Sequence, residues 1–237
     1  MGRKAKIKKR RQRPSDPVLN RVRDEFDRLI DQEQLVKLRA QVLTPGTLRS
    51  SCILSTKLLV TLAHGLGIKA KPLTVRALVF NPVLHAYAEE HGTLAVPPDV
   101  LVDLTDKGAR FLVVGSREAA PDDGEMNRWP GHLVAILSCP GRQTHLVDLA
   151  IDQAHRPHKG IHITQPIALP VHSTRFLKGK QTSSYWPQVN PDGSTFGLCY
   201  DAFPKDRSYE RSPDWRRELE VKPTPKGIEI VYREATR

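Results

Sequence analysis

The chain has 237 residues, of which 39% are hydrophobic and 27% are charged. This length fits one large globular domain better than two small ones, and this composition is typical of chains that bury a core of ordinary size. The longest apolar runs fall short of the ~20 residues that a membrane span needs. The basic start is not followed by the apolar segment of a secretory signal. We therefore expect a soluble cytoplasmic protein.

The cysteines and histidines argue against a disulfide-rich or metal-binding protein. Cys52, Cys139 and Cys199 are too few and too scattered for a disulfide framework, and no Cys-x-x-Cys pair is present. Residues 152–162 (DQAHRPHKGIH) contain ligand-like residue types, but their Pro and Gly predict a loop, and the spacing matches no specific metal motif. We expect neither a metal nor a cofactor.

Most of the net charge of +11 belongs to the start of the chain. Residues 1–13 hold eight Lys or Arg and no acidic residue, which leaves 29 basic against 26 acidic residues, or +3, for the rest. We interpret residues 1–15 as a disordered basic tail, because like charges repel and almost nothing there can be buried. Such a tail either improves solubility or binds nucleic acid or an acidic partner nonspecifically. The side chains available for that contact are Arg3, Lys4, Lys6, Lys8, Lys9, Arg10, Arg11 and Arg13.

Two helices are predicted at the start of the folded part. Asp16 and Pro17 are typical of a helix N-terminus, and apolar residues then recur every three or four positions, which predicts one helix to about Ala40. A second and largely buried helix is predicted from Ser51, with glycines at its end near Gly65.

The rest of the chain reads mainly as strands. Strands are predicted at 70–80, 111–114, 132–138, 144–150, 160–169 and 227–234, with a short helix at 83–91 and a polar loop at 116–131. Helices followed by hairpin-connected strands indicate an α+β fold with N-terminal helices packed on an antiparallel sheet. We place the core at 16–170 and expect 171–237 to be an extension that wraps the same domain.

Three residues form a candidate catalytic group. Cys52 lies at the start of the second helix, where unpaired amides and the helix dipole favour a thiolate. His132 and Asp148 lie on the two strands of the hairpin, and a loop of Cys139-Pro140-Gly141 would put them directly opposite one another. Asp148 would then orient His132, and His132 would activate the thiol. The alternative is a buried structural cysteine and an ordinary cross-strand pair.

The same residues resemble a known family. A cysteine at the head of an apolar helix that ends in Leu66-Gly67-Ile68, with a strand behind it, resembles the transglutaminase-like core. The stretches GHLVAIL (131–137) and HLVDLAIDQ (145–153) resemble that superfamily's histidine and aspartate strands. The resemblance covers about residues 46–170. The chain is also similar, more distantly, to arylamine N-acetyltransferases. Their Arg-Gly-Gly ahead of the cysteine is replaced here by Arg49-Ser50-Ser51.

The resemblance implies a papain/transglutaminase-like core in which Cys52 is the nucleophile, His132 the general base and acid, and Asp148 the orienting carboxylate. The implied activity is acyl transfer from a protein or small-molecule amide through a thioester, ending in hydrolysis, deamidation or transamidation. The alternatives are CoA-dependent N-acetylation and a noncatalytic polyanion-binding protein that keeps the fold. Trp129, Gln153 and Arg156 are candidate substrate-binding residues at the mouth of the site.

Overall fold

The computed structural model describes residues 16–42, 51–92, 96–115, 131–180, 183–189, 193–224 and 227–233. These residues form α-helices and antiparallel strands, so the predicted α+β class is confirmed at that level. The basic tail at 1–15 and residues 116–130 of the predicted polar loop, which include Trp129, lie outside the described residues.

The helices and strands alternate irregularly along the chain. The helices are α1 (Pro17–Leu29), α2 (Gln32–Val42), α3 (Ser51–Gly65), α4 (Pro82–His91), α5 (Pro98–Asp106), α6 (Thr174–Leu177) and α7 (Pro213–Arg216). The strands are β1 (Lys69–Phe80), β2 (Phe111–Val114), β3 (His132–Ser138), β4 (His145–Asp148), β5 (Ile167–Pro170), β6 (Ser183–Val189), β7 (Thr195–Phe203), β8 (Glu218–Thr224) and β9 (Gly227–Arg233).

The first predicted helix is divided into two. Asp16 caps α1 by accepting a hydrogen bond from the Val18 amide, as its position predicted. The helix ends at Leu29, because Asp31 accepts hydrogen bonds from the amides of Glu33 and Gln34 and starts α2. The prediction of one helix to Ala40 was therefore wrong: a local side-chain cap competes with continuation of the helix.

Helix α3 connects α1 and α2 to the sheet. It is apolar on most of its surface, as expected for a helix covered on several sides. Its buried side chains and those of α1 and α2 form one cluster with residues of β3 and β4, which includes Leu58, Leu59, Ala135, Leu137 and Val147. The helical layer therefore covers one face of the sheet beside the predicted hairpin.

The main sheet is organised around β1. Its strands follow the order β5-β4-β3-β1-β7-β6, and β2 also pairs with β1. Both β2 and β3 pair with the same edge of β1, since Val114 is opposite Ala77 and His132 is opposite Val75. They act as one long strand that is interrupted opposite Arg76 by residues 115–131.

The sheet curls until its two edge strands approach each other. The indole Nε1 of Trp186 on β6 donates to the carbonyl of Pro170 on β5 at 3.0 Å. Trp186 also packs edge-to-face on Phe176 and Tyr200. The concave face encloses a second apolar cluster that includes Val75, Ala77, Val134, Leu146 and Leu198. The hairpin thus has an apolar core on each face.

The C-terminal part of the chain contributes two strands to the main sheet. Within 171–237, which we expected to wrap the same domain, β7 pairs with β1 in the middle of the sheet and β6 pairs with β7. The strand predicted at 160–169 is shorter, Ile167–Pro170, and follows two 3₁₀ turns. The strand near 227–234 is present as β9, but it pairs with β8 in a separate two-stranded sheet.

Replacing Gly115 by Ala should lower the free energy of unfolding by more than the strain of a positive φ angle alone accounts for. Gly115 has φ +83°, and a Cβ there would lie 2.5 Å from the His132 amide nitrogen. Gly108→Ala is the matched control, since Gly108 has φ +89° and open space around it. We expect a loss of about 1–2 kcal/mol for Gly108→Ala and a larger loss for Gly115→Ala in urea unfolding. Equal losses would contradict the close packing of Gly115 on His132.

Candidate active site

The β3–β4 hairpin has a different register from the predicted one. Ala135 pairs with Val147 and Leu137 with His145, so the turn is centred on Gly141 and the loop has five residues, 139–143. The hydroxyls of Ser138 and Thr144 close this loop with a 3.0 Å hydrogen bond. His132 and Asp148 are therefore diagonal neighbours and not directly opposite. A shift of two residues keeps both on the same face, so their contact is preserved.

The Asp148 carboxylate is fully buried and accepts three hydrogen bonds. Its Oδ2 lies 2.6 Å from Nε2 of His132 and accepts from the Tyr200 hydroxyl at 2.9 Å. Its Oδ1 accepts from the Ala150 amide at 3.0 Å. His132 and Tyr200 are also fully buried, on the concave face of the sheet. The carboxylate is thus held in one orientation by donors from three parts of the chain.

His132 is held in its charged form. Burial opposes ionisation of the ring, but the charge and hydrogen bond of Asp148, together with the Cys52 thiol, raise the pKa of His132 from 6.5 to about 10. Because the Cys52 side chain contributes to this pKa, its sulfur lies near the ring. Because Nε2 is bound to Asp148, Nδ1 is the ring nitrogen left for the sulfur.

Cys52 occupies the first turn of α3, as predicted. Its side chain is 8% exposed and packs with Ile53, Leu133 and Ala150. One turn later on the same helix face, the buried Thr56 hydroxyl donates to the carbonyl of Leu133 at 2.8 Å. Leu133 directly follows His132, so this hydrogen bond fixes the distance between the start of α3 and the start of β3.

A partly buried ion pair also holds α3 in place. The Arg39 guanidinium on α2 binds both carboxylate oxygens of Asp152, at 3.0 and 2.7 Å, and donates to the Ser55 hydroxyl at 3.2 Å. Asp152 lies shortly after Asp148 in the sequence, in the 3₁₀ turn Ile151–Ala154. A bidentate arginine–carboxylate pair has a strict geometry, so it holds α2, α3 and the end of the hairpin together.

The C-terminal segment packs beside Cys52. Tyr209 and Trp215 pack against the cluster that contains Cys52, and their rings meet edge-to-face with centroids 4.7 Å apart. Lys57 on α3 donates to the carbonyls of Trp215 and Arg217 and lies 5.8 Å from the centre of the Trp215 ring. The first turns of α3 are therefore attached to residues 209–217.

Two cavities lie away from the three candidate residues. One of about 310 Å³ is lined by Gln32, residues 163–167, Gln188, Val189 and Phe196. An open one of about 550 Å³ is lined by Arg207, Ser208, Glu210, Arg211 and Arg216. The second lies on the outer side of the segment that carries Tyr209, and a guanidinium–carboxylate pair, Arg207 with Glu210, borders it.

The other predicted site residues are arranged differently. Gln153 is half-buried in the 3₁₀ turn that follows Asp148. Arg156 is exposed, and its guanidinium donates to the carbonyls of Gln153 and His155 at 2.9 and 2.7 Å, so it braces its own turn. Trp129 and the eight basic residues at 3–13 lie outside the described residues.

The described residues contain neither a metal-binding cluster nor a membrane-spanning helix. No group of three or more His, Cys, Asp or Glu side chains is arranged to hold a metal ion in these parts of the chain. The rings of His155 and His162 meet edge-to-face with their centroids 6.1 Å apart. Among the helices described, none has the length and apolar character to cross a bilayer.

Sequence reasoning missed Tyr200, Thr56 and Arg39. Each binds a partner that is distant in sequence: Tyr200 lies 52 residues after Asp148, Thr56 lies 77 residues before Leu133, and Arg39 lies 113 residues before Asp152. The available signal was a polar residue within an apolar run, as in Thr195–Phe203, where a buried hydroxyl needs a partner. That signal identifies a buried polar residue but not what it binds.

Comparison with known proteins adds no relative: no family model, no curated protein and no solved structure matches this chain.

The stability of the protein should fall at alkaline pH because of His132. Its folded-state pKa of about 10 exceeds the 6.5 of a free imidazole, so the charged ring stabilises the fold fully below pH 6.5. This contribution is lost as pH rises through about 10. Urea unfolding between about pH 6 and pH 10 should show a steeper loss for the wild type than for His132→Gln. His91→Gln, an exposed site on α4, is the control. Parallel curves for all three proteins would contradict the charged buried ring.

Truncating Trp215 should open the path to Cys52. Trp215→Ala removes the ring that packs against the Cys52 cluster, so a bulky maleimide should react faster relative to the small reagent iodoacetamide. Mass spectrometry reads both rates, and Cys139 (6% exposed) is an internal reference on the far end of the hairpin. An unchanged ratio at Cys52 in a folded variant would show that Trp215 does not limit access to the sulfur.

Proposed function

We propose that this protein is a cysteine-dependent acyl-transfer enzyme with a papain/transglutaminase-like core. The observation that supports this most directly is the buried chain of contacts from Cys52 through His132 to Asp148. A nucleophile, a proton carrier and an orienting carboxylate in this order are what acyl transfer through a thioester requires. The order of elements supports it as well: a cysteine-headed helix packs on an antiparallel sheet that carries the histidine and then the aspartate.

In the first step the Cys52 thiolate attacks the carbonyl carbon of an amide or ester. The S–C bond forms and the carbonyl π electrons move to oxygen. When this intermediate collapses, the C–N or C–O bond breaks, and the leaving amine or alcohol takes a proton from the His132 imidazolium. The raised pKa of His132 supports this role, since the ring is protonated at neutral pH when the first attack occurs.

The oxyanion needs a donor close to the sulfur. The Cys52 amide is among the first four N–H groups of α3, which have no acceptor within the helix itself. The positive end of the helix dipole adds to its effect on a developing negative charge. We assign the Cys52 amide to the oxyanion for this reason.

In the second step an acceptor resolves the thioester. Water or an amine attacks the carbonyl carbon and gives its proton to His132, the C–S bond breaks, and the thiolate is restored. Water yields hydrolysis or deamidation, whereas an amine yields transamidation. Asp148 keeps the ring in one orientation throughout both steps.

Alkylation with iodoacetamide tests the resting state, and Cys139 is a matched control. Cys52 and Cys139 are 8% and 6% exposed, so accessibility does not separate them, and burial raises the pKa of Cys139. At about pH 6, where an ordinary thiol is almost wholly protonated, we expect Cys52 to react at least tenfold faster than Cys139. His132→Ala should move the Cys52 pH profile upward, and Asp148→Asn should do so more weakly. Equal rates at the two thiols would overturn the proposal.

Acyl donors then separate the candidate reactions. Excess p-nitrophenyl acetate should leave a thioester on Cys52 that hydroxylamine removes and that Cys52→Ala abolishes, with Cys139→Ala unchanged. Adding an amine should shift the product from acetate to an acetamide if transfer occurs. Acylation of Cys52 by acetyl-CoA would identify the N-acetyltransferase alternative instead. No adduct from any donor would leave the polyanion-binding alternative, which salt-sensitive retention on DNA detects.

A further inference from the structure

We propose that Tyr200 is a positioning residue of this site: its hydroxyl holds the Asp148 carboxylate in the orientation that keeps His132 directed at Cys52. This inference rests on the proposed acyl-transfer function. It assigns a role to a C-terminal strand that the resemblance to residues 46–170 does not include. Tyr200 touches no reacting atom, so its effect is transmitted through Asp148 and His132.

The geometry links Tyr200 to the histidine through one oxygen. Oδ2 of Asp148 lies 2.6 Å from His132 Nε2 and 2.9 Å from the Tyr200 hydroxyl. Oδ1 is bound by the Ala150 amide at 3.0 Å. Because the two oxygens are held from different directions, the carboxylate plane is fixed, and with it the ring that Oδ2 binds.

Tyr200 is itself rigid. It is fully buried on β7 opposite Ala77, and its ring packs edge-to-face on Trp186 with centroids 5.7 Å apart. Trp186 is anchored by its own hydrogen bond to the Pro170 carbonyl. Because the Tyr200 side chain is already held in place, it loses little conformational entropy when its hydroxyl binds the carboxylate. Its hydrogen bond therefore orients Asp148 at little entropic cost.

Tyr200 also stays a donor. Burial first, and then the neighbouring Asp148 charge, raises the pKa of Tyr200 well above its usual value. The phenol therefore remains protonated across the working pH range and donates to Oδ2. Without this donor, Oδ2 would keep only His132, and a buried charged group with fewer partners either rotates or draws the ring away from the sulfur.

Tyr200→Phe is the test, because it removes the hydroxyl and leaves the ring that packs on Trp186. We expect the rate at which iodoacetamide alkylates Cys52 at about pH 6 to fall about tenfold, and the pH profile of that rate to move upward. A loss of this size is typical when a group that orients an imidazole through a hydrogen bond is removed, as known from metal-binding histidines. Tyr209→Phe is the control, since the Tyr209 ring packs by Cys52 but its hydroxyl binds Arg207. A profile that matches the wild type in a folded Tyr200→Phe protein would overturn the proposal.

Two further readouts keep the outcome clear. If Tyr200→Phe does not fold, 3-fluorotyrosine at position 200 is the alternative, because it keeps the hydroxyl donor and makes it more acidic. The pH profile of Cys52 alkylation should then move downward. An unchanged profile would overturn the proposal. The wild-type rate separates the two levels of inference. Slow alkylation of Cys52 in the wild type contradicts the acyl-transfer function, whereas fast alkylation in both wild type and Tyr200→Phe contradicts only the role of Tyr200.

Discussion

The buried carboxylate of Asp148 is the constraint on which the rest of the site depends. A charge removed from water is costly unless it is paired and hydrogen-bonded, and here it has His132, Tyr200 and the Ala150 amide as partners. These donors come from β3, from β7 and from the turn after β4. The fold must bring all three together, and the concave face of the curled sheet does so. Removing any one donor leaves a buried charge with too few partners.

The same curvature explains why the C-terminal half of the chain cannot be separated from the site. Tyr200 reaches Asp148 only because the sheet curls across four strands, and the Trp186–Pro170 hydrogen bond between its two edges maintains that curl. On the other face, Thr56 and Arg39 fix α3 against the hairpin. The position of Cys52 relative to His132 is therefore set by contacts on both faces of one sheet.

The start of α3, which carries Cys52, is packed against the C-terminal segment. Tyr209 and Trp215 pack on the Cys52 cluster, and Lys57 attaches them to α3. On the sheet, β2 and β3 are interrupted opposite Arg76, so that Gly115 packs directly on the His132 backbone. In the proposed reaction, an acyl donor would have to displace or pass the residues that pack on Cys52.

The sequence by itself determined the elements that local rules govern: the Asp16 cap, the cysteine at the head of α3, and the face shared by His132 and Asp148. That face was predictable despite a register error of two residues, because side chains alternate with a period of two and an even shift preserves the side. Only the tertiary structure decided the register, the break at Asp31, and the roles of Tyr200, Thr56 and Arg39. These depend on contacts between distant segments, which no local pattern encodes, and on the free energy of satisfying buried polar groups after the chain has closed around them.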